Sequence, residues 1–314
     1  MLSNVLTILD LLDRPSADGE LIAQHLRSCA APGATVKVER VQGEEGSTDF
    51  VTVMIPGSSG RTSGGEAPTL GIIGRLGGVG ARPEIIGYVS DGDGAAAALS
   101  AAAKLLSMHA RGDQLPGDVI CSTHVCAWAS TQQHDPVPFM DSAVDIKTMN
   151  EKEVSPAMEA ILSIDTTKGN RLINHRGIAI SPTVKEGYIL RTSEDLVGAL
   201  ESVSGEPAKV FPLTTQDITP YGNGLHHLNS ILQPSVVTEA PVVGVAITTV
   251  TVVAGCATGA SHEVDIALAA RYAVEVAKGY GAGSIAFYDN DEFQHIQSLY
   301  GSASHMQTLG QLIS

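Results

Sequence analysis

The sequence predicts an α/β fold: a doubly wound, mostly parallel sheet flanked by helices, in one domain over residues 1–314. Three observations carry that prediction. Short runs of Val, Ile and Leu alternate with amphipathic or alanine-rich stretches, the pattern of a parallel sheet with crossover helices. Hydrophobic residues make up 43% of the chain and charged residues 17%, too apolar a balance for disorder. The 33 glycines argue against a helical bundle, and the 4% aromatic content suits aliphatic cores between strands and helices.

The elements follow in order. Val5 to Leu12 has helical apolar spacing and stops before Pro15, and Ser16 is placed to cap a second helix from Gly19 to Ser28. Val36 to Val41 and Phe50 to Ile55 read as paired strands, with a Gly/Ser/Pro loop after Ile55. Thr69 to Ile73 and Glu84 to Val89 are short strands. Ser90-Asp91-Gly92-Asp93-Gly94 then opens an Ala/Leu-rich helix to His109. Asp118 to Thr123 is a strand, and residues 127–154, bearing Pro, Asp and Met, read as a long irregular loop over the functional face. Ala160 to Asp165 and Gly177 to Ser181 are strands, and Ser193 caps a helix to Val203. Val242 to Val253 is the longest strand expected, followed by helices from His262 to Lys278 and from Asp291 onward.

Charge and composition narrow the function. The net charge is −15 and no run of Lys or Arg tracks a phosphate backbone, which argues against nucleic-acid binding. The first ten residues lack a basic region and carry Asp10 where a signal peptide stays apolar. Ala240 to Ala260 is apolar, but its threonines, its β-branched residues and the flanking Glu239, His262 and Glu263 suit a buried strand better than a membrane span. The four cysteines, Cys29, Cys121, Cys126 and Cys256, are scattered without a CxxC pair, as expected of a reducing compartment. A cytoplasmic location is therefore the expectation.

Open α/β sheets place ligands beyond the carboxyl ends of their strands. Asp91, Asp93, His124, Asp165 and His262 all fall at or just after such ends. Asp and His together suit a divalent ion such as Zn, Mn or Co, which lowers the pKa of bound water and polarises a carbonyl. Each has a structural reading as well: Asp93 as a helix N-cap, Asp91 as a turn former, His262 as an orienter of a helix start.

These signals resemble, in order along the chain, the zinc-exopeptidase superfamily, in particular the cobalt-activated and tetrahedral-type aminopeptidases. Pro15-Ser16-Ala17-Asp18-Gly19-Glu20 resembles the family's opening turn, and Asp91-Gly92-Asp93-Gly94 its bridging-aspartate turn. Ile164-Asp165-Thr166-Thr167 resembles the later aspartate ligand, and Ser261-His262-Glu263-Val264 the final histidine ligand. The whole chain also resembles a bacterial and archaeal family of similar length. The superfamily resemblance implies a metal-dependent hydrolase acting on the amide bond of a small peptide or acylated amino acid. One divalent ion would be held by Asp91 or Asp93, Asp165 and His262, with His124 as acid/base and no organic cofactor. It implies a homo-oligomer as well.

The chain also departs from that pattern. Arg75-Leu76-Gly77 stands where the family carries His-x-Asp, and Thr123-His124-Val125-Cys126 where it carries a Glu-Glu pair. The gap from Gly77 to Asp91 leaves no room for a large lid domain. An alternative therefore stands beside hydrolysis: a non-catalytic member of the fold that binds an amino-acid-like ligand, with Arg75 gripping its carboxylate. Tyr221-Gly222-Asn223-Gly224 resembles the family's site-facing segment, and His226, His227 and Asn229 lie in or just after it; Asn223, His226 and His227 are the candidate substrate contacts. Cys126, two residues after His124, invites a nucleophile reading, against the usual inertness of a buried thiol.

Overall fold

The structure is a computed structural model that describes residues 1–44, 46–75, 77, 87–133, 139–167, 169–251 and 259–308. Two helices open the chain, α1 (Leu2–Leu12) and α2 (Gly19–Cys29). The cap of α2 is Asp18, whose carboxylate accepts from Leu21 N, and not Ser16. Strands β1 (Thr35–Gly43) and β2 (Gly46–Ile55) form an antiparallel pair. Next come β3 (Leu70–Gly74), α3 (Asp93–Ala110) and β4 (Val119–Val125). Of the strand expected over Glu84 to Val89, residues 84–86 lie outside the described residues, and 87–89 are not in a strand.

The described residues of 127–154 hold more regular structure than the sequence suggested: β5 (Thr131–Gln132) pairs antiparallel with β6 (Phe139–Met140), and a helix, α4 (Ile146–Glu153), is capped by Asp145; residues 134–138 lie outside the described residues. Strand β7 (Ala160–Thr166) follows, then β8 (Gly177–Ile180), β9 (Val184–Lys185) and β10 (Tyr188–Ile189). Helix α5 (Glu194–Ser204) carries the expected Ser193 cap. Strand β11 is Val242–Thr248; of the rest of the expected strand, residues 249–251 are not in a strand and 252–253 lie outside the described residues, and α6 (Glu263–Gly281) and α7 (Asn290–Tyr300) close the order.

The main sheet runs β1-β2-β4-β3-β7-β11-β9-β10, with β8 also paired to β11. Its four central strands, β4, β3, β7 and β11, are mutually parallel, while the flanking pairs are antiparallel. All of β3, β4 and β11 is buried, so both sheet faces are covered and the strands read as continuous apolar runs. Alternate residues feed two cores. Leu70, Ile72, Leu162 and Val243 point toward α3 and α6, while Ile73, Ile120, Ile161 and Val242 point toward a layer containing Phe211, Ile231 and Leu232. Helix α4 covers the same side over β4 and β2. Among the described residues no helix is long and apolar enough to cross a membrane.

The start of α3 presses directly on the ends of β3 and β7. A Cβ on Gly74 would stand 2.6 Å from Gly94 O, and one on Gly94 would stand 2.4 Å from Ile164 O. Only glycine permits that approach.

Candidate functional site

Strand register builds the site. Ile73 lies opposite both Ser122 and Ser163, and Ser163 lies opposite Gly244, which makes one row across four parallel strands. With a side-chain period of two, the next row on the same face is His124, Arg75, Asp165 and Ala246. Arg75 sits one residue past β3 but keeps the ladder, its N–H donating to Ile164 O at 2.6 Å. Thr248, two residues beyond Ala246, extends this face. The row occupies the carboxyl ends of the strands, where doubly wound sheets place ligands.

Sequence reasoning missed the residue that ties the row together. Glu153, the last residue of α4, places one carboxylate oxygen 2.6 Å from Arg75 Nη1 and the other 2.6 Å from His124 Nδ1. Its own carbonyl accepts from Ser122 Oγ at 2.6 Å, which fixes the end of α4 over β4. The Arg75 and Glu153 side chains are both 0% exposed, and that of His124 is 2% exposed. Phe50 packs against the imidazole with ring centroids 5.5 Å apart. Three polar groups thus form one buried cluster, where breaking a pair costs far more than at the surface.

The guanidinium is only partly satisfied. Glu153 engages Nη1, while Nε and Nη2 are buried with no hydrogen-bond partner among the described residues. Those two nitrogens form one edge of the guanidinium fork, the edge that grips a carboxylate with two parallel bonds. Arg40 shows that use in the same chain, with Nε and Nη2 on the two oxygens of Asp49 at 2.6 and 2.8 Å.

More unpartnered atoms lie on the elements that carry or cover this row. Asn150 Oδ1 lies on α4 one turn before Glu153, and Thr248 Oγ1 at the end of β11; both are buried without a partner. Asn229 leaves both Oδ1 and Nδ2 in that state. Its segment is pinned over β7 by two bonds: Ser163 Oγ to Ile231 O at 2.6 Å and Ser230 Oγ to Asp165 Oδ2 at 3.4 Å. Each buried polar group without a partner costs about 1–3 kcal/mol. Asp165 itself is 4% exposed, and burial lifts its carboxyl from the ordinary range to about 7, against the pull of nearby Arg75 and the Thr166 N–H.

The remaining predicted residues lie around this row. Asp93 is the first residue of α3 and does not cap it; its Oδ1 accepts from Ser261 Oγ at 2.5 Å and Tyr88 OH at 3.2 Å. Burial, and then Asp93, push the Tyr88 hydroxyl well above its ordinary pKa. Asp91 is buried in the turn before α3, whose Ser90 carbonyl accepts from Thr166 Oγ1. His262 is exposed at the N-cap of α6, with no side-chain capping bond. The structure thus brings Ser261 to Asp93 and leaves His262 at the surface.

Asn223, His226 and His227 stand in an exposed or half-exposed loop. Asn223 bonds Thr219 Oγ1 and Leu225 N, and His227 bonds Thr219 and stacks on Tyr221 with centroids 5.0 Å apart. These bonds shape the loop. Asp217, fully buried, accepts from Leu228 N and Asn229 N and anchors its far end. The Cys126 thiol faces Ser47 O at 4.0 Å rather than His124, and burial raises its pKa, so it is a poor nucleophile.

Among the described residues the expected metal donors are not gathered at one point: no group of three or more His, Cys, Asp or Glu side chains is placed to hold a metal. Asp165 neighbours a guanidinium, whose positive charge opposes a dication beside it. Asp93 is engaged by two hydroxyls, and His262 is exposed.

Among curated proteins, no relative matches the sequence. Among solved structures, the chain is similar in fold to a mutant of tomato leucine aminopeptidase, with a TM-score of 0.50 and 13% identity over 87% of this chain. The chain spans 60% of that enzyme's length. The likeness is one of fold, and it agrees with the α/β architecture expected from the sequence. A family model matches residues 39–310, and the chain belongs to that family, described as protein of unknown function DUF1177.

Proposed function

We propose that the chain binds a small amino-acid-like molecule by its carboxylate, using the open edge of Arg75 on an aminopeptidase-like fold. The observation that carries this reading is the pair of unpartnered guanidinium nitrogens, Nε and Nη2, on a side chain with no exposure. Glu153 neutralises Arg75 from the Nη1 side and leaves the two-bond edge for a ligand anion. The unpartnered amide of Asn229 and the hydroxyl of Thr248, also at the strand ends, would supply polar surroundings for such a ligand.

Calorimetric titration with free and N-acetylated amino acids tests the reading, on the wild type and on Arg75→Lys. The lysine keeps the charge opposite Glu153 and loses the fork. Binding that weakens at least tenfold in the variant supports carboxylate capture; unchanged affinity sinks it.

Metal-dependent hydrolysis of an amide in a small peptide or acylated amino acid is the second reading. It is favoured by the His124–Glu153 contact of 2.6 Å, which orients an imidazole as acid/base partners are oriented, and by the aminopeptidase-like fold. It requires stoichiometric metal in protein purified without chelator, and its loss in His262→Ala. Metal-free wild type after incubation with Zn, Mn or Co, with no amide turnover, removes it.

A further inference from the structure

We infer that anion capture at Arg75 is proton-coupled: a carboxylate on Nε and Nη2 makes His124 take up a proton through their shared partner, Glu153. The inference rests on the carboxylate reading of Arg75 and adds a pH response to that same site.

The shared carboxylate carries it. Glu153 gives one oxygen to Arg75 Nη1 and the other to His124 Nδ1, each at 2.6 Å. None of the three side chains is more than 2% exposed. Beside a guanidinium, which is always charged, Glu153 is an acceptor only. Nδ1 must therefore carry the hydrogen of its contact. The lone pair of the neutral imidazole then lies on Nε2, which is where a second proton goes.

Charge counting gives the direction. Without a ligand, Arg75 and Glu153 cancel. A bound carboxylate turns that pair into a buried group of net negative charge, which is costly to leave uncompensated. The imidazole already touches Glu153, and protonating it restores neutrality and converts the Nδ1–H contact into a charge-assisted bond. The surroundings of the ring are otherwise neutral or cationic. Strand β2 presents Phe50, β3 presents Arg75, and on its own strand's continuation the Cys126 thiol faces Ser47 O. Asp165, two strands away in the same row and itself acted on by Arg75, is the competing acceptor. Ligand affinity should fall as pH rises through the range in which only the liganded form keeps the proton, by about tenfold per unit.

Calorimetric titration of the full-length chain with N-acetylglycine tests this, in Tris and in triethanolamine. These cationic buffers differ in ionisation enthalpy, so the difference in heat counts the protons taken from the buffer. Between about pH 6 and 9 the wild type should pass through a maximum uptake approaching about one proton per ligand. Asp165→Asn should keep that uptake, and His124→Gln, which can donate to Glu153 but cannot titrate, should lose it. A second readout needs no variant: of the 10 histidines, one should move to the cationic imidazole NMR shift when the acid is added. Binding without proton uptake at any pH, or without that NMR change, would overturn the coupling and leave the carboxylate reading intact. Uptake that persists in His124→Gln and vanishes in Asp165→Asn would overturn the assignment to His124. No binding at any pH would overturn the carboxylate reading and this inference with it.

Discussion

The two ends of the parallel sheet both carry buried charge, and they treat it in opposite ways. At the amino ends, Asp118 is 1% exposed just before β4 and accepts three bonds, from Gly57 N, Thr62 N and Thr62 Oγ1, at 2.7–2.8 Å. Glu159, just before β7, accepts from Thr69 N and Arg61. At the carboxyl ends, Arg75, Asn150, Asn229 and Thr248 leave six buried polar atoms without partners among the described residues. On the carboxylate reading proposed above, hydrogen-bond satisfaction is what separates the Asp118 network from the Arg75 site, because unmatched buried polar atoms are available to a ligand's groups.

The largest expected effect comes from removing the residue that ties the carboxyl-end row together. Glu153→Ala leaves Arg75 buried without a counter-charge, and urea unfolding should show a loss of about 3–5 kcal/mol. A loss below ~1 kcal/mol would mean that water reaches the cluster and that its dryness is overstated.

Asp165 gives the next effect, through pH. Its carboxyl titrates near 7 in the fold and near ~4 in the unfolded chain, so the folded state holds the extra proton between those values. Stability should therefore fall as pH rises from about 4 through 7 and level off above, by on the order of 2–4 kcal/mol. Asp165→Asn, which cannot ionise, should flatten that part of the curve. An unchanged slope would place the raised carboxyl elsewhere.

Asp118→Ala strands two N–H groups and a hydroxyl at the other end, and about 2 kcal/mol should be lost with no change in ligand affinity. The smallest effect should have the opposite sign. Thr248→Val replaces an unmatched hydroxyl by a methyl group of similar shape, and ligand-free protein should gain about 1 kcal/mol. If Thr248→Val and Asp118→Ala destabilise alike, the contrast between the two ends fails.

The sequence made part of this legible. Strands that end in a polar residue announced His124 and Asp165, and a lone cation closing the apolar run Leu70 to Gly74 announced Arg75. Glu153 was hidden because it lies 29 residues from His124, on the eight-residue helix α4, whose polar composition and short length gave no clear periodicity. Asn150 was hidden for a different reason: asparagine is common on helix surfaces, and only burial without a partner distinguishes this one. Asn229 was marked by its place just after the Gly-rich loop. Asp93 was expected as a candidate metal ligand, with a helix cap as its structural reading; Tyr88 and Ser261 engage its carboxylate, and a hydroxyl from 168 residues away cannot be read from local pattern. The helices and central strands were visible because their apolar periods are long. The cap of α2 and the end of β11 were misplaced by a few residues, where several polar residues compete for one boundary.

The central claim is that the Nε/Nη2 edge of Arg75 receives a carboxylate. Thermal unfolding of the wild type with saturating N-acetylglycine, against its methyl ester at equal concentration, tests it most directly. The acid at a hundred times its Kd should stabilise the fold by about 2.7 kcal/mol, raising the melting temperature by a few degrees, while the ester, which lacks the anion, leaves it unchanged. Equal shifts from acid and ester, or no shift from either, would contradict the assignment.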